Sequence, residues 1–241
     1  MRTPLPLRIE NNGTQLAALV HLPPTPPAPV IICCHGLLSA KDSPKYEEIG
    51  QNMSGAGFCV LRFDFSGCGE SPARKETLIG ARRKDLDAAI DYSRAQPWSD
   101  GRVGLLGSSL GGYLALLAAD ADPDGIVAAA CWAAPFDIGR LDPAQTGMEE
   151  LNRLIPGGFK LGEPKNLESL TTAARVLLIH GREDEVVPWE HSIEIFRRIR
   201  DPREVILMQD ADHRLTDPSW RQMALRSSLD WFLRFFPATL A

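Results

Sequence analysis

Short, unbroken apolar runs recur along the chain and alternate with stretches in which apolar residues return every three or four positions. The runs fall at 30–34, 58–63, 102–106, 126–132, 175–180 and 204–208. Runs of this length predict strands of a parallel sheet covered on both faces. Between them, helical periodicity covers 44–54, 80–96, 110–119 and 189–200. In the second of these, Leu86, Ala89, Ile90 and Ser93 share one face, while Arg82, Arg83, Asp87 and Asp91 lie elsewhere. The third is apolar nearly all round and predicts a central buried helix. A last helix is expected from Asp217-Pro218, a favourable cap followed by Pro at the first position, to about Phe236. Its aromatic residues Trp220, Trp231, Phe232 and Phe235 read as packing groups.

Ahead of this alternation, 5–10 and 15–21 flank Asn11-Asn12-Gly13 and predict a β-hairpin with an Asn-Gly turn. A proline-rich stretch at 22–29 follows as a stiff connector. One interval breaks the rhythm. Residues 135–172 separate two strands by far more than a usual connection. Within it, 148–155 predicts one short helix with Leu151, Leu154 and Ile155 on a common side, so the interval reads as a small cap over the strand ends. The pattern predicts a single α/β domain over 1–241, with a mostly parallel sheet, an N-terminal antiparallel hairpin and helices on both faces.

Composition narrows the partners. Among 241 residues, 26 Lys and Arg stand against 31 Asp and Glu, a formal net charge of −5 with no basic block. Such a surface carries no electrostatic footprint for nucleic acid or an anionic membrane. The longest apolar run, 126–136, is too short to span a bilayer, and the N-terminus lacks the apolar core of a signal peptide. Five cysteines show no CxxC pair and no metal-like spacing with His. Cys33, Cys34, Cys59 and Cys131 lie in apolar runs and read as small buried hydrophobes, whereas Cys68, between two glycines, is a candidate reactive thiol. The expectation is a cytoplasmic protein acting on a small molecule, without metal or organic cofactor. Its oligomeric state is left open.

The chemistry concentrates after the strands. Gly107-Ser108-Ser109-Leu110-Gly111 is a G-x-S-x-G pattern, weak alone but informative between a predicted strand and a predicted helix. Small residues let the backbone turn sharply and lift the Ser109 hydroxyl, while the helix N-terminus favours developing negative charge. Ser108, one place off the centre, reads as a packing residue. A serine needs a base, and the base needs an orienting acid. Of the three later histidines, His180 ends a strand and reads as structural, and His191 falls in a charged helix and reads as solvated. His213 lies in the loop between the last strand and last helix, where an open α/β sheet places its site. Asp184 follows the preceding strand and is the chosen acid, with Glu183 and Glu185 as alternatives. The loop from His35 to Ser39 follows the first long parallel strand; its N–H groups, with that of Leu110, are candidates for an oxyanion hole. His35 reads as a loop-holder.

Taken together, these segments resemble the α/β-hydrolase superfamily, near its cinnamoyl/feruloyl esterase and prolyl-oligopeptidase-like branch, from 30 to 236. His35-Gly36-Leu37 resembles the family's oxyanion loop and implies the Leu37 N–H as a donor. Asp64-Phe-Ser-Gly67-Cys-Gly69-Glu-Ser71 resembles its D-x-x-G-x-G-x-S turn, with Asp64 in a structural role. Gly107 to Gly111 resembles its nucleophile turn, and Gly181-x-x-Asp184-x-x-Val187-Pro188 and Asp212-His213 resemble its acid and base segments. The order Ser109, Asp184, His213 is that of the family. The 135–172 interval is shorter than the lid of cinnamoyl esterases. The resemblance implies hydrolysis of carboxylic esters through an acyl-enzyme. A thioesterase, an acyl-peptide hydrolase and a catalytically silent binding protein are the alternatives.

Overall fold

The computed structural model describes residues 3–74, 76–154 and 160–237. In chain order the strands are β1 (Leu5–Asn11), β2 (Thr14–His21), β3 (Ala28–Cys34), β4 (Cys59–Phe63), β5 (Ser99–Ser108), β6 (Ile126–Trp132), β7 (Val176–Gly181) and β8 (Arg203–Met208). They form one sheet in the order β1-β2-β4-β3-β5-β6-β7-β8. The β1–β2 and β2–β4 pairs are antiparallel and all the others parallel. The hairpin closes on Asn12 and Gly13, both at positive φ (50° and 78°), which the two-residue turn demands.

Helices α1 (Pro44–Gly55) and α7 (Pro218–Phe235) cover one face of the sheet; α2 (Leu78–Arg94), α3 (Leu110–Ala121) and α6 (Glu190–Arg198) cover the other. Alternation within β3 shows why an unbroken apolar run is needed. Val30, Ile32 and Cys34 join one core, and Ile31 and Cys33 the other. Asp217 caps α7 as expected, accepting a 2.7 Å hydrogen bond from the Ser219 N–H. On α2, Leu86, Ala89, Ile90 and Ser93 are buried as the pattern requires. Arg82, off that face in the sequence reading, is buried too, because its side chain turns onto the loop after β3.

The interval between β6 and β7 folds back on itself. The Ile138 N–H donates to Lys165 O (2.8 Å) and the Leu167 N–H to Phe136 O (2.9 Å), so its two ends pair. Between them lie a short 3-10 turn at Ile138–Arg140, α4 (Pro143–Thr146) and α5 (Met148–Leu154). Of the apolar side expected on that last helix, Ile155 and the side chains of Leu151 and Leu154 lie outside the described residues. Lys160 O and Leu161 O accept from the Leu78 and Ile79 N–H groups (2.8 and 2.9 Å), satisfying two of the donors that a helix N-terminus leaves open. No helix among the described residues is long and apolar enough to cross a membrane.

Candidate active site

The strand order sets the location. From β3 the chain passes to β4 on one side and then crosses to β5 on the other, so the loops after β3 and β5 diverge and leave a crevice. The loop after β3 carries His35, Gly36 and Leu37; the turn after β5 carries Ser109.

Ser109 sits at φ 56° and ψ −125°, a conformation that costs a non-glycine residue about 1–3 kcal/mol. Surrounding contacts hold it there. Its N–H donates to Trp132 O (2.8 Å), and its C=O accepts from the Tyr113 N–H (3.0 Å) as α3 begins. Gly107 and Gly111 permit the turn: a Cβ on Gly111 would stand 2.0 Å from Cys34 O, and one on Gly107 2.4 Å from Gly111 O.

Ser109, Asp184 and His213 converge. Ser109 Oγ is 3.1 Å from His213 Nε2, and His213 Nδ1 is 2.8 Å from Asp184 Oδ2. Asp184 Oδ1 accepts from the Val186 and Val187 N–H groups at 2.9 and 2.7 Å. Burial of this carboxylate opposes its ionisation, yet hydrogen bonds from His180 and His213 outweigh that cost and hold its acidity well below the usual carboxylate range. Of the alternatives, Glu183 and Glu185 are exposed, and Glu185 accepts instead from the His213 backbone N–H (3.2 Å).

Sequence reasoning gave His180 only a structural place and missed its contact with the acid. Its Nε2 lies 3.1 Å from Asp184 Oδ2 and 2.8 Å from Val187 O, both acceptors, so Nε2 carries the proton. Nδ1 then accepts from the Ser192 hydroxyl at 2.7 Å. His191, expected to be solvated, is buried, because its Nδ1 accepts the Phe136 N–H (2.9 Å) at the base of the insertion.

His35 holds its own loop. The Phe65 N–H donates to Nε2 (3.1 Å), so Nδ1 bears the proton and donates to Gly36 O (2.8 Å). Burial, then the Arg82 charge, push this imidazole down to about 3, so it stays neutral. Asp64, fully buried, accepts from the Lys41 and Glu70 N–H groups (2.7 and 3.0 Å), which ties the loops together. Ser108 accepts from Lys45 Nζ (2.9 Å), an amine that burial and then the Arg221 charge lower to about 8. No pattern marks that contact, since its partners are 63 residues apart. Cys68 makes a poor reactive thiol: burial pushes its acidity to higher pH, partly offset by Arg82.

Against Ser109 lies a cleft lined by Leu37, Leu78, Leu110, Ile138, Leu141 and Met148, among others. Its walls are mostly apolar, with Thr146 among them. The Leu37 N–H makes no hydrogen bond among the described residues, and the Leu110 N–H opens α3, where no intrahelical partner exists. Among the described residues, no group of three or more His, Cys, Asp or Glu is arranged to hold a metal ion. The arrangement brings a hydroxyl, an imidazole, a carboxylate and N–H groups that have no partner among the described residues beside this cleft.

A family model described as alpha/beta hydrolase fold matches residues 29–146. The chain is 30% identical over 214 residues to the palmitoyl-protein thioesterase ABHD10, mitochondrial, of Rattus norvegicus, covering 78% of this chain and 70% of that protein. Among solved structures, the alpha/beta hydrolase domain-containing protein 10 from mouse is 26% identical, with a TM-score of 0.75 over 95% of this chain and 99% of that one. Est1E from Butyrivibrio proteoclasticus, solved with ferulic acid bound, superposes with a TM-score of 0.76 at 18% identity, covering 96% of this chain and 100% of its own. At that identity the likeness shows the fold alone. The chain belongs to the α/β-hydrolase fold family, and it is a hydrolase of that fold.

Proposed function

We propose that this hydrolase cleaves carboxylic esters bearing an apolar acyl group through a Ser-His-Asp triad. The observation that carries this reading is the continuous hydrogen-bonded line from Ser109 Oγ through His213 to Asp184, at 3.1 and 2.8 Å. Ser109 attacks the ester carbonyl while its proton passes to His213 Nε2. Asp184 holds the Nδ1–H tautomer and offsets the charge of the imidazolium that forms. The Leu37 and Leu110 N–H groups stabilise the tetrahedral oxyanion. Collapse expels the alcohol, which takes the proton from His213 and leaves an acyl-enzyme. Water, deprotonated by the same imidazole, then releases the acid and regenerates Ser109. The apolar cleft beside Ser109 suits the acyl chain rather than the alcohol, because water must still reach the acyl carbonyl after the alcohol has left.

The relative of Rattus norvegicus, named a thioesterase, favours a second reading in which a thioester takes the ester's place. The same tetrahedral intermediate serves both. Matched butyryl substrates, one a p-nitrophenyl ester and one a thioester of N-acetylcysteamine, decide between them by kcat/KM. Ser109→Ala is expected to abolish turnover of both, and a fluorophosphonate probe to label wild-type Ser109 stoichiometrically. Undiminished hydrolysis by Ser109→Ala would sink the triad. Folded wild-type protein that takes up no probe would favour a silent, ligand-binding member.

A further inference from the structure

Arg82 is a buried cation that the mechanism above leaves without a role. It projects from the first turns of α2 and is only 1% exposed. It makes no ion pair among the described residues. Asp85, three residues on, instead serves Asn11, Ser66 and Arg74. A guanidinium removed from water without a carboxylate is costly unless other acceptors replace the lost solvent. Here they are backbone carbonyls. Nη1 donates to Gly36 O (3.3 Å), and Nη2 to Leu37 O (3.0 Å) and Cys68 Sγ (3.0 Å). The guanidinium also lies 5.3 Å from the centre of the Phe65 ring. Its Nε has no partner among the described residues, so the arrangement carries an unrecovered cost.

Both carbonyls belong to the loop that faces Ser109. In a planar trans peptide the C=O and N–H point in opposite directions. Gly36 O and the Leu37 N–H belong to one such unit. Fixing Gly36 O on the α2 side therefore turns the Leu37 N–H away from α2, and this loop lies against Ser109: a Cβ on Gly36 would be 3.5 Å from Ser109 Cβ. His35 Nδ1 pulls the same carbonyl from within the loop. Arg82 adds the next carbonyl, Leu37 O, so two consecutive peptide planes are pinned from one cation. Donation to Gly36 O also polarises the peptide and strengthens its N–H as a donor.

We propose that Arg82 is a positioning residue for acyl transfer, holding the Gly36 and Leu37 carbonyls so that the Leu37 N–H faces the oxyanion formed at Ser109. The proposal rests on the reading of Ser109 as nucleophile and Leu37 as oxyanion donor. Loss of a hole donor costs about 10²–10³ in rate, and a donor left present but unheld costs less, roughly 10- to 100-fold.

The test compares Arg82→Met and Arg82→Lys with wild type on p-nitrophenyl butyrate. Arg82→Met is expected to lower kcat roughly 10- to 100-fold with KM nearly unchanged, and Arg82→Lys, which can still donate to one carbonyl, to recover part of the loss. Affinity for a trifluoromethyl ketone, which forms a tetrahedral adduct with serine, should fall in step with kcat/KM. Affinity for the matching methyl ketone, a ground-state mimic, should hold. Wild-type kcat in Arg82→Met overturns the proposal, as does an equal loss of affinity for both ketones, which marks general damage. Should Arg82→Met fail to fold, Arg82→Lys decides by the same two ratios. An inert Ser109→Ala beside a fully active Arg82→Met rejects only the role of Arg82, whereas an active Ser109→Ala rejects the nucleophile itself.

Discussion

At the scale of single residues, the site joins strain to buried charge. Ser109 is held at positive φ by two backbone hydrogen bonds, and Asp184 is kept ionised by two N–H groups and two imidazoles, although its side chain is fully buried. This carboxylate makes two separable predictions. In the proposed mechanism, Asp184→Asn leaves His213 in the wrong tautomer, and kcat should fall by about 10⁴, the loss seen for the equivalent change in a related triad. The effect on stability has a definite sign. An unfolded aspartate titrates near 3.9, and the folded carboxyl of Asp184 lies below that. Its contribution is therefore complete above the unfolded value and is lost as pH falls through the folded one. Thermal melting of wild type and Asp184→Asn should show a gap that is constant at neutral pH and closes below about pH 5. A gap that widens on acidification would contradict this account of the carboxylate.

At the scale of elements, the decisive piece is the passage from β5 into α3. Its legibility in the sequence has a physical basis. A strand that must turn into a helix within one residue, with backbone pressed on backbone, admits only small side chains, and Gly107 and Gly111 mark that turn. The strands were legible for a similar reason, since burial on both faces excludes polar residues. Burial of a polar side chain leaves no such trace. Arg82 and His191 carry the composition of surface helices, and what buries them is a carbonyl or an N–H supplied by a distant loop. The contact of Lys45 with Ser108 and the two acceptors on His180 Nε2 were hidden for the same reason. The insertion after β6 was legible as an interruption with one short helix, found as α5, whereas the four-residue α4 is too short to show a period. The turn itself yields a sharp test. A methyl group on Gly111 would fall 2.0 Å from Cys34 O, backbone that cannot swing aside. Gly111→Ala should thus destabilise by at least the 1–3 kcal/mol typical of overpacking, read from urea unfolding. It should also separate the walls of the proposed oxyanion hole, so activity should fall further than stability alone accounts for.

At the scale of the whole molecule, the proposed mechanism divides the labour between the sheet and the insertion. The reversal of strand order at β3 and β5 brings the His35 loop beside Ser109, and the loops after β7 and β8 deliver Asp184 and His213 from the other half of the sheet. None of these residues comes from the interval between β6 and β7. That interval, together with α2, instead builds much of the cleft wall, through Ile138, Leu141, Thr146, Met148 and Leu161 from the interval and Leu78 from α2. In the proposed mechanism, chemistry and chain selection are thereby carried by different parts of the fold and should separate on mutation. Thr146 is the position at which to test this, since it is half-buried, lines the cleft and lies in the short α4. Thr146→Phe adds a ring to the wall of the cleft and leaves Ser109, His213 and both proposed oxyanion donors unsubstituted. An acetyl group, seated at the carbonyl, should barely register the change, so kcat/KM for p-nitrophenyl acetate should stay within a few-fold of wild type. A hexanoyl chain must pass the new ring, and each methylene excluded from an apolar pocket costs about 1–3 kcal/mol, or 10–200-fold. The hexanoate-to-acetate ratio of kcat/KM should therefore fall by at least about tenfold. An unchanged ratio would mean that the acyl chain lies elsewhere. A parallel loss on both esters would mean that the insertion supports the catalytic groups rather than the choice of chain.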